Sequence, residues 1–488
     1  MGLSRTAPSI IQGGMGAAVS GWALARAVSS RGQLGVVSGT GMDTIFVRRL
    51  QDGDQGGHLR RAIARFPIPA VGARVLRRYF LEGGRAGRSY ALLSQYGARS
   101  SLERNLVTVL ANFVEVSLAR EGHDGAVGIN LLTKIQPPTL PSLYGAMLAG
   151  VDYVLMGAGI PREIPGALDL LAEHKPAAIR YDVLGGGEPV SLEFDAGALW
   201  TEAPAPINRP KFLAIVASNS LATMLARKAN GRIDGFVVEG PTAGGHNAPP
   251  RGEPRFNHRG EPVYGDRDVV ALDALCDLGL PFWLAGGTGS PDGLVAALAG
   301  GAAGIQVGTL FAFCDESGLL EEYKRTVLDA ARAGLLDVIT DPRASPTGYP
   351  FKVVQAVGLP VVDENRERVC DLGYLRAAYR RPDGRIAYRC PGEPVKDYLM
   401  KGGCEEDTVG RHCLCNALMA NIGLGQLRDG DVVELPLLTS GDDLLNIQSF
   451  LCGRDRYSAG DVLAYLLGEA SLRSADNSFT MASVSRSQ

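Results

Sequence analysis

The chain has 488 residues, 45% of them hydrophobic and 21% charged, with a formal net charge of −3. That balance gives no electrostatic reason to bind nucleic acid or an anionic membrane surface. No apolar run reaches the roughly 20 residues of a membrane span, and the stretch Met1–Gly16 lacks the basic start and long apolar core of a secretory signal, so a cytoplasmic protein is expected. The length suits one large domain of about 250–330 residues with additions.

Taken in order, Ser9–Gln12 reads as a short strand closed by Gly13-Gly14-Met15-Gly16, with Ser20 as the expected cap of a helix through Val28. Leu34–Ser38 is the second strand, completing a βαβ unit that should cross over right-handedly. The segment from about 44 to 122 is too long for one crossover. It reads as an arginine-rich helical insertion containing Leu59–Arg65, Val75–Phe80 and Leu102–Arg120. Val127–Leu132 and Tyr153–Met156 are the third and fourth strands. Residues from about 178 to 210 alternate as a β-hairpin would and are an expected insertion.

Lys211–Ala217 and Asp234–Glu239 follow as the fifth and sixth strands, the latter a short, β-branched, nearly continuous apolar run of the parallel type. The loop Pro241–Asp266 exceeds an ordinary βα connection and reads as a lid or substrate loop. Phe282–Ala285 and Gly304–Val307 are the seventh and eighth strands. Eight strands alternating with helices make an α/β fold, a (β/α)8 TIM barrel, the first choice; an open doubly wound sheet is the alternative. The expected organisation is a barrel over 1–340 with its two insertions, then a C-terminal α-rich, cysteine-containing extension over 341–470, and a polar, frayed tail over 471–488.

The chemistry concentrates where strands end. Gly286-Gly287-Thr288-Gly289 follows the seventh strand and Gly308-Thr309 the eighth. Bare amides in glycine turns beside a helix start bind phosphate, and barrels commonly place that site after strands seven and eight. A single such turn would be an ordinary tight connection; two at these strands point to phosphate. Gln12-Gly13-Gly14-Met15 would let backbone lie against a flat ring, and Asn130 stands where it can hydrogen-bond the ring's polar edge. The sixth strand runs into Gly244-Gly245-His246, which presents an acid/base group at the barrel mouth. Phosphate, flat ring and histidine together imply flavin mononucleotide (FMN). A dinucleotide fold is disfavoured, since no strand is followed by G-x-G-x-x-G with an acid about 20 residues on.

Ile10–Gly21 (IIQGGMGAAVSG), Leu34–Gly39, Glu239–His246 (EGPTAGGH), Ala285–Gly289 (AGGTG), Gln306–Phe311 (QVGTLF) and Ala344–Val353 (ASPTGYPFKV) resemble the 2-nitropropane dioxygenase, or nitronate monooxygenase, family. FMN-dependent enoyl-acyl-carrier-protein reductases share that barrel. The resemblance covers roughly residues 8–360. It implies an FMN-bearing barrel with His246 as the active-site histidine. Gly286, Gly287, Gly289, Gly308 and Thr309 match phosphate-binding turns. Gln12, Gly13, Gly14, Met15 and Asn130 match ring-binding positions, and Glu239, Gly244, Gly245 and Gln306 fall within the matching cofactor-binding motifs. The implied reaction is oxidation of an alkyl nitronate or related carbon acid with O2. His246 would act as base or as stabiliser of the nitro group's negative charge, roles that an unperturbed pKa of about 6.5 suits.

The alternative is an enoyl thioester reductase using NAD(P)H, with His246 donating to the thioester carbonyl and Arg60, Arg61, Arg77 and Arg78 as a candidate patch for a carrier protein. A third class, a flavin-free scaffold barrel, would call for loss of His246 or of the glycine turns, and neither is lost. The small-molecule substrate is a nitronate or an enoyl thioester accordingly, and an oligomer is compatible with either.

Of the eight cysteines, Cys276 and Cys314 read as inert core residues and the other six lie in the last quarter. Cys390, Cys404, Cys413 and Cys415 have a C-x13-C-x8-C-x-C spacing. Four thiolates so close could hold a [4Fe–4S] cluster or tetrahedral zinc, although the spacing matches no standard pattern and buried structural thiols are the competing reading.

Overall fold

A computed structural model describes residues 7–202, 204–360, 367–429 and 432–469; the expected frayed tail lies outside them. Eight strands form a closed parallel barrel: β1 Ile10–Gln12, β2 Leu34–Ser38, β3 Val127–Leu132, β4 Tyr153–Gly157, β5 Lys211–Val216, β6 Gly235–Glu239, β7 Phe282–Ala285 and β8 Gly304–Val307. Each strand pairs with the next in sequence, and β8 closes on β1 through the register Ile10↔Ile305 to Gln12↔Val307. The TIM barrel is therefore the fold, and the open-sheet alternative is excluded.

Strand periodicity sorts the side chains. Ile11, Leu34, Val36, Tyr153, Leu155, Leu213, Val237, Trp283 and Ala285 point inward and fill the barrel. Their sequence neighbours, among them Ile10, Val37, Ile129, Val154, Phe212, Phe236, Phe282 and Ile305, face the surrounding helices. Burial on both faces is why these strands read as continuous apolar runs rather than alternating ones. Trp283 plugs the end away from the mouth, its indole N–H donating to Pro8 O at 2.7 Å.

The first helix begins at Trp22 with Gly21 as its N-cap, so Ser20 is not the cap expected for it. Ser20 Oγ accepts instead from Met15 N and Gln12 Nε2, each at 2.9 Å, and donates to Gly13 O. It folds the first glycine loop, while Glu115 of the long helix Leu102–Ala119 accepts from Trp22 N at 2.7 Å.

The insertion after β2 is helical, with Met42–Gln51, His58–Ile63 and Pro69–Tyr79 preceding the long helix. Pro176–Tyr181 and Val190–Asp195 form the antiparallel hairpin. Residues beyond 340 are laced into the barrel. Phe351–Ala356 pairs antiparallel with Leu336–Asp341, Ala377–Arg380 pairs with Val183–Leu184 of the hairpin insertion, and helix Ala459–Leu466 packs on Trp22–Ser29 and Pro291–Ala299. The last helix thus stands between the first and seventh barrel units.

A buried charge joins these layers. Asp43 Oδ2 lies 2.9 Å from Arg104 Nη2, with both side chains almost fully buried, and Asp43 also accepts from Tyr96 and from Tyr374 of the extension. Removing one member of such a pair strands the other charge in low dielectric. Arg104→Ala is expected to lose about 3–5 kcal/mol of stability in urea unfolding, while Asp43→Asn with Arg104→Met recovers much of it; equal loss in single and double variants would contradict this.

Candidate functional site

At the C-terminal ends of the strands lies a cavity of about 390 Å³, within the range of cofactor and small-molecule pockets. Gly13, Gly14, Met15, Asn130, Glu239, Gly244, Gly245, His246, Gly286, Gln306, Gly308 and Thr309 all border it. Three of the expected residues stand behind that lining. Gln12 is fully buried and bridges strands, its Oε1 accepting from Val36 N at 3.1 Å. Gly287 and Gly289 belong to the turn after β7 but do not face the main cavity.

The glycines have specific causes. A Cβ at Gly14 would lie 2.4 Å from Asn130 Cβ, so only bare backbone passes there. Gly286 and Gly287 have φ of +88° and +70°, the left-handed region that side chains disfavour. Asn130 Nδ2 donates to Gly14 O at 3.2 Å, and this leaves Asn130 Oδ1 buried without a partner. Gln306 Oε1 and Asn247 Oδ1, bordering the same cavity, are likewise buried and unpartnered. Orphaned polar atoms of this kind are costly, and a functional pocket is where they are retained.

His246 is held from the extension side. Its Nε2 is 2.6 Å from Ser345 Oγ, which in turn lies 2.8 Å from Thr347 Oγ1. The ring meets Phe351 edge-on at 4.8 Å between centroids. Burial, then the charge of Lys134, pushes the imidazole down to about 4, so it is neutral across the physiological range, contrary to the unperturbed value expected from sequence. The opposite shift falls on Glu239, whose carboxyl burial raises to about 7. The site thus offers a neutral imidazole and a half-protonated carboxyl near neutral pH.

The extension contributes a wall that sequence reading missed. Leu418, Asn421, Leu438, Thr439, Ser440, Gly441 and Asp443 border the cavity. Gly441 N donates to Thr309 Oγ1 at 3.1 Å, and Gly245 N donates to Thr439 Oγ1 at 2.9 Å. Nothing in local pattern marks these residues. Tyr349 and Phe351, by contrast, sit within the ASPTGYPFKV stretch, which could have flagged them.

The expected metal quartet is not assembled. Among the described residues no group of three or more His, Cys, Asp or Glu side chains is placed to hold a metal ion. Cys404 is exposed and turned to Asp407 Oδ2 at 3.2 Å, whereas Cys390 is buried. Cys413 precedes helix Leu414–Ala420 and takes Asn416 Nδ2 at 3.5 Å, while Cys415 rides on that helix. The chain places Cys404 at the head of a separate short turn, Glu405–Thr408, with its side chain exposed. The arginine patch is also engaged: Arg60 pairs with Asp54, Arg61 with Glu121 and Arg78 with Glu103.

Comparison with known proteins bears on this geometry directly. Residues 196–356, spanning β5 to the strand beside His246, match the family model described as nitronate monooxygenase. A Mycobacterium tuberculosis protein, (3aS,4S,5R,7aS)-5-hydroxy-7a-methyl-1-oxo-octahydro-1H-indene-4-carboxyl-CoA dehydrogenase, is 32% identical over 229 residues, covering 43% of this chain and 60% of that protein. The chain therefore spans about three-fifths of the length of this curated relative. Among solved structures, FabK from Thermotoga maritima is 18% identical with a TM-score of 0.47, covering 97% of this chain and 96% of its own. Nitroalkane oxidase from Streptomyces ansochromogenes is 15% identical with a TM-score of 0.47, covering 96% and 98% respectively.

The raised Glu239 carboxyl yields a prediction with a definite sign. A carboxyl whose folded pKa is raised holds its proton after the unfolded chain has lost it. Stability therefore falls as pH rises from the ordinary carboxylate value through about 7. Glu239→Gln, which cannot ionise, is expected to raise Tm at pH 8 and to leave it nearly unchanged at pH 4. A gain of equal size at both pH values would refute the assignment.

Proposed function

We propose that this protein is an FMN-dependent oxidoreductase of the nitronate monooxygenase type, oxidising alkyl nitronates or related carbon acids with O2 in the cytoplasm. The observation that carries the reading is one cavity. It brings the glycine turns after β7 and β8, the unpartnered amide oxygens of Asn130 and Gln306, and a buried histidine to one mouth. Among the described residues no helix is long and apolar enough to cross a membrane.

The residues present fit a flavin. Gly13 and Gly14, backed by the Gln306 and Asn130 side chains, bring bare backbone to the cavity; Asn130 Oδ1 and Gln306 Oε1 offer acceptors to a ring N–H; the turns at Gly286 and Gly308 offer amides to a phosphate. When bound, FMN supplies a two-electron acceptor that O2 can reoxidise. The protein's own part is positional and electrostatic. Neutral His246, fixed through Ser345, can donate a hydrogen bond to an anionic nitro or carbonyl oxygen without adding a charge of its own. Lys134, whose field reaches His246 and whose Nζ lies 4.7 Å from the Tyr349 ring centre, brings positive potential to the mouth for an anionic substrate. Ile215, Phe313, Leu418 and Leu438 add apolar wall to the cavity, which lowers the polarity in which such a contact would form.

A second reading, reduction of an enoyl thioester with NAD(P)H, draws on the curated relative, whose name specifies a carboxyl-CoA substrate. Anaerobic protein showing flavin absorption, treated with alkyl nitronate or with NADPH, separates the two: bleaching by nitronate alone supports the first, and bleaching by NADPH alone moves the assignment to the second. Absence of flavin bands, with no uptake of added FMN, would sink both. For the first, His246→Ala is expected to keep its flavin spectrum and lose about 10²–10⁴-fold in kcat. Because the imidazole is already neutral, any inflection of the wild-type rate near pH 7 should come from the Glu239 carboxyl and disappear in Glu239→Gln; an inflection near pH 6.5 retained in that variant would refute the neutral-imidazole role.

A further inference from the structure

The extension sets a carboxylate against the anion-binding turn. Asp443 borders the same cavity as Gly286, Gly308 and Thr309. A Cβ built on Gly289 would lie 2.8 Å from Asp443 Oδ2, so the acid group rests on the bare backbone of the turn after β7. The backbone on either side is anchored. Gly441 N donates to Thr309 Oγ1 at 3.1 Å, Asp442 N donates to Thr242 O at 2.9 Å, and Leu444 N donates to Gly441 O at 3.1 Å.

The surroundings do not neutralise this acid. Its neighbour Asp442 takes Lys352 Nζ at 2.6 Å, so that lysine is already matched. Tyr465 of helix Ala459–Leu466 senses the Asp443 charge, together with Asp292 at the start of helix Pro291–Ala299 and Cys452, and none of these groups supplies a positive charge. The Gly289 amide favours the ionised carboxylate, but burial outweighs it and, together with Asp442, holds the Asp443 carboxyl above its ordinary value. A phosphate settling on the amides of these turns would bring a second negative charge into the same partly buried corner. Like charges at such range cannot both stay ionised cheaply.

We propose that Asp443 is a determinant of phosphate binding: the phosphate of FMN settles at the turns after β7 and β8 together with one proton taken up by the Asp443 carboxyl. The inference rests on the flavin reading above and goes beyond it, because it makes a residue of the extension decide how tightly the phosphorylated cofactor is held, and at what pH. The only covalent change is a proton transfer: a solvent or buffer acid gives up its proton, and an O–H bond forms at a carboxylate oxygen of Asp443.

The test is equilibrium titration of the flavin-freed full chain with FMN and with riboflavin, read by flavin fluorescence between pH 7 and 8.5. The phosphate, with a second pKa near 6, is largely dianionic over that range. The FMN Kd is expected to rise by up to about tenfold per pH unit, while the riboflavin Kd stays flatter. The riboflavin arm also removes any contribution from Glu239, which would face the ring of both ligands. Asp443→Asn should bind FMN more tightly at pH 8.5 and lose the extra slope, and Asp443→Ser repeats the comparison if the first variant folds poorly. Calorimetry of wild type in two buffers of different ionisation enthalpy should show uptake of about one proton with FMN beyond that seen with riboflavin. Equal slopes for FMN and riboflavin, or an FMN slope retained in the variants, would overturn the inference alone. No binding of either flavin by any form would overturn the flavin reading and the inference with it.

Discussion

Everything at the mouth depends on one close approach of two backbones. The loop after β6 and the segment 440–442 of the extension touch where neither can carry a side chain: a Cβ on Gly244 would lie 2.7 Å from Gly441 N, and one on Gly441 would lie 2.8 Å from Thr242 O. Asp442 N donates to Thr242 O at 2.9 Å across the same seam. Because Thr309 of the turn after β8 also accepts from Gly441 N, the extension ties together the ends of two strands that flank β7. It is a wall of the cavity, and the cavity could not keep its shape if those residues moved away.

The same enclosure sets the electrostatics. Burial is the only cause of the rise at Glu239 and the first cause of the fall at His246. One low-dielectric environment therefore pushes an acid and a base in opposite directions, each toward its neutral form. Paired shifts of this kind mark functional sites more often than structural ones. Here they stand beside the unpartnered amide oxygens of Asn130 and Gln306, which geometry alone identifies.

The barrel was legible because its strands are buried on both faces. Runs such as Phe236-Val237-Val238 announce themselves by continuous apolar character, and each of the eight strands overlaps its expected range closely. The glycine turns and His246 were legible for a related reason, since they fall at strand ends, where a barrel exposes chemistry. Ser20 misled because a serine before an apolar helix has two uses, and here its hydroxyl organises the Gly13–Met15 loop. The cysteines misled because spacing counts residues, not directions: Cys404 begins a turn that faces solvent while Cys390 faces the core. Ser440 to Asp443 were illegible in principle. They reach the mouth only through long-range packing, more than 130 residues after the Thr309 they contact.

That packing runs through a single strand. Phe351–Ala356 meets the barrel at its start, where Asn247 N donates to Pro350 O at 2.9 Å and Lys352 N donates to Gly245 O at 3.0 Å, on either side of His246. One residue into the strand, the buried Lys352 Nζ donates to Thr340 Oγ1 at 2.9 Å and to Asp442 Oδ1 at 2.6 Å. The lysine thus fixes residue 442 from the same strand whose first residue packs on the His246 ring. A buried ammonium needs such partners to be tolerated at all, and satisfying them couples the two ends of the cavity. The histidine end and the glycine-turn end thus share one support, in which Phe351 packs on His246 and Lys352 bonds Asp442.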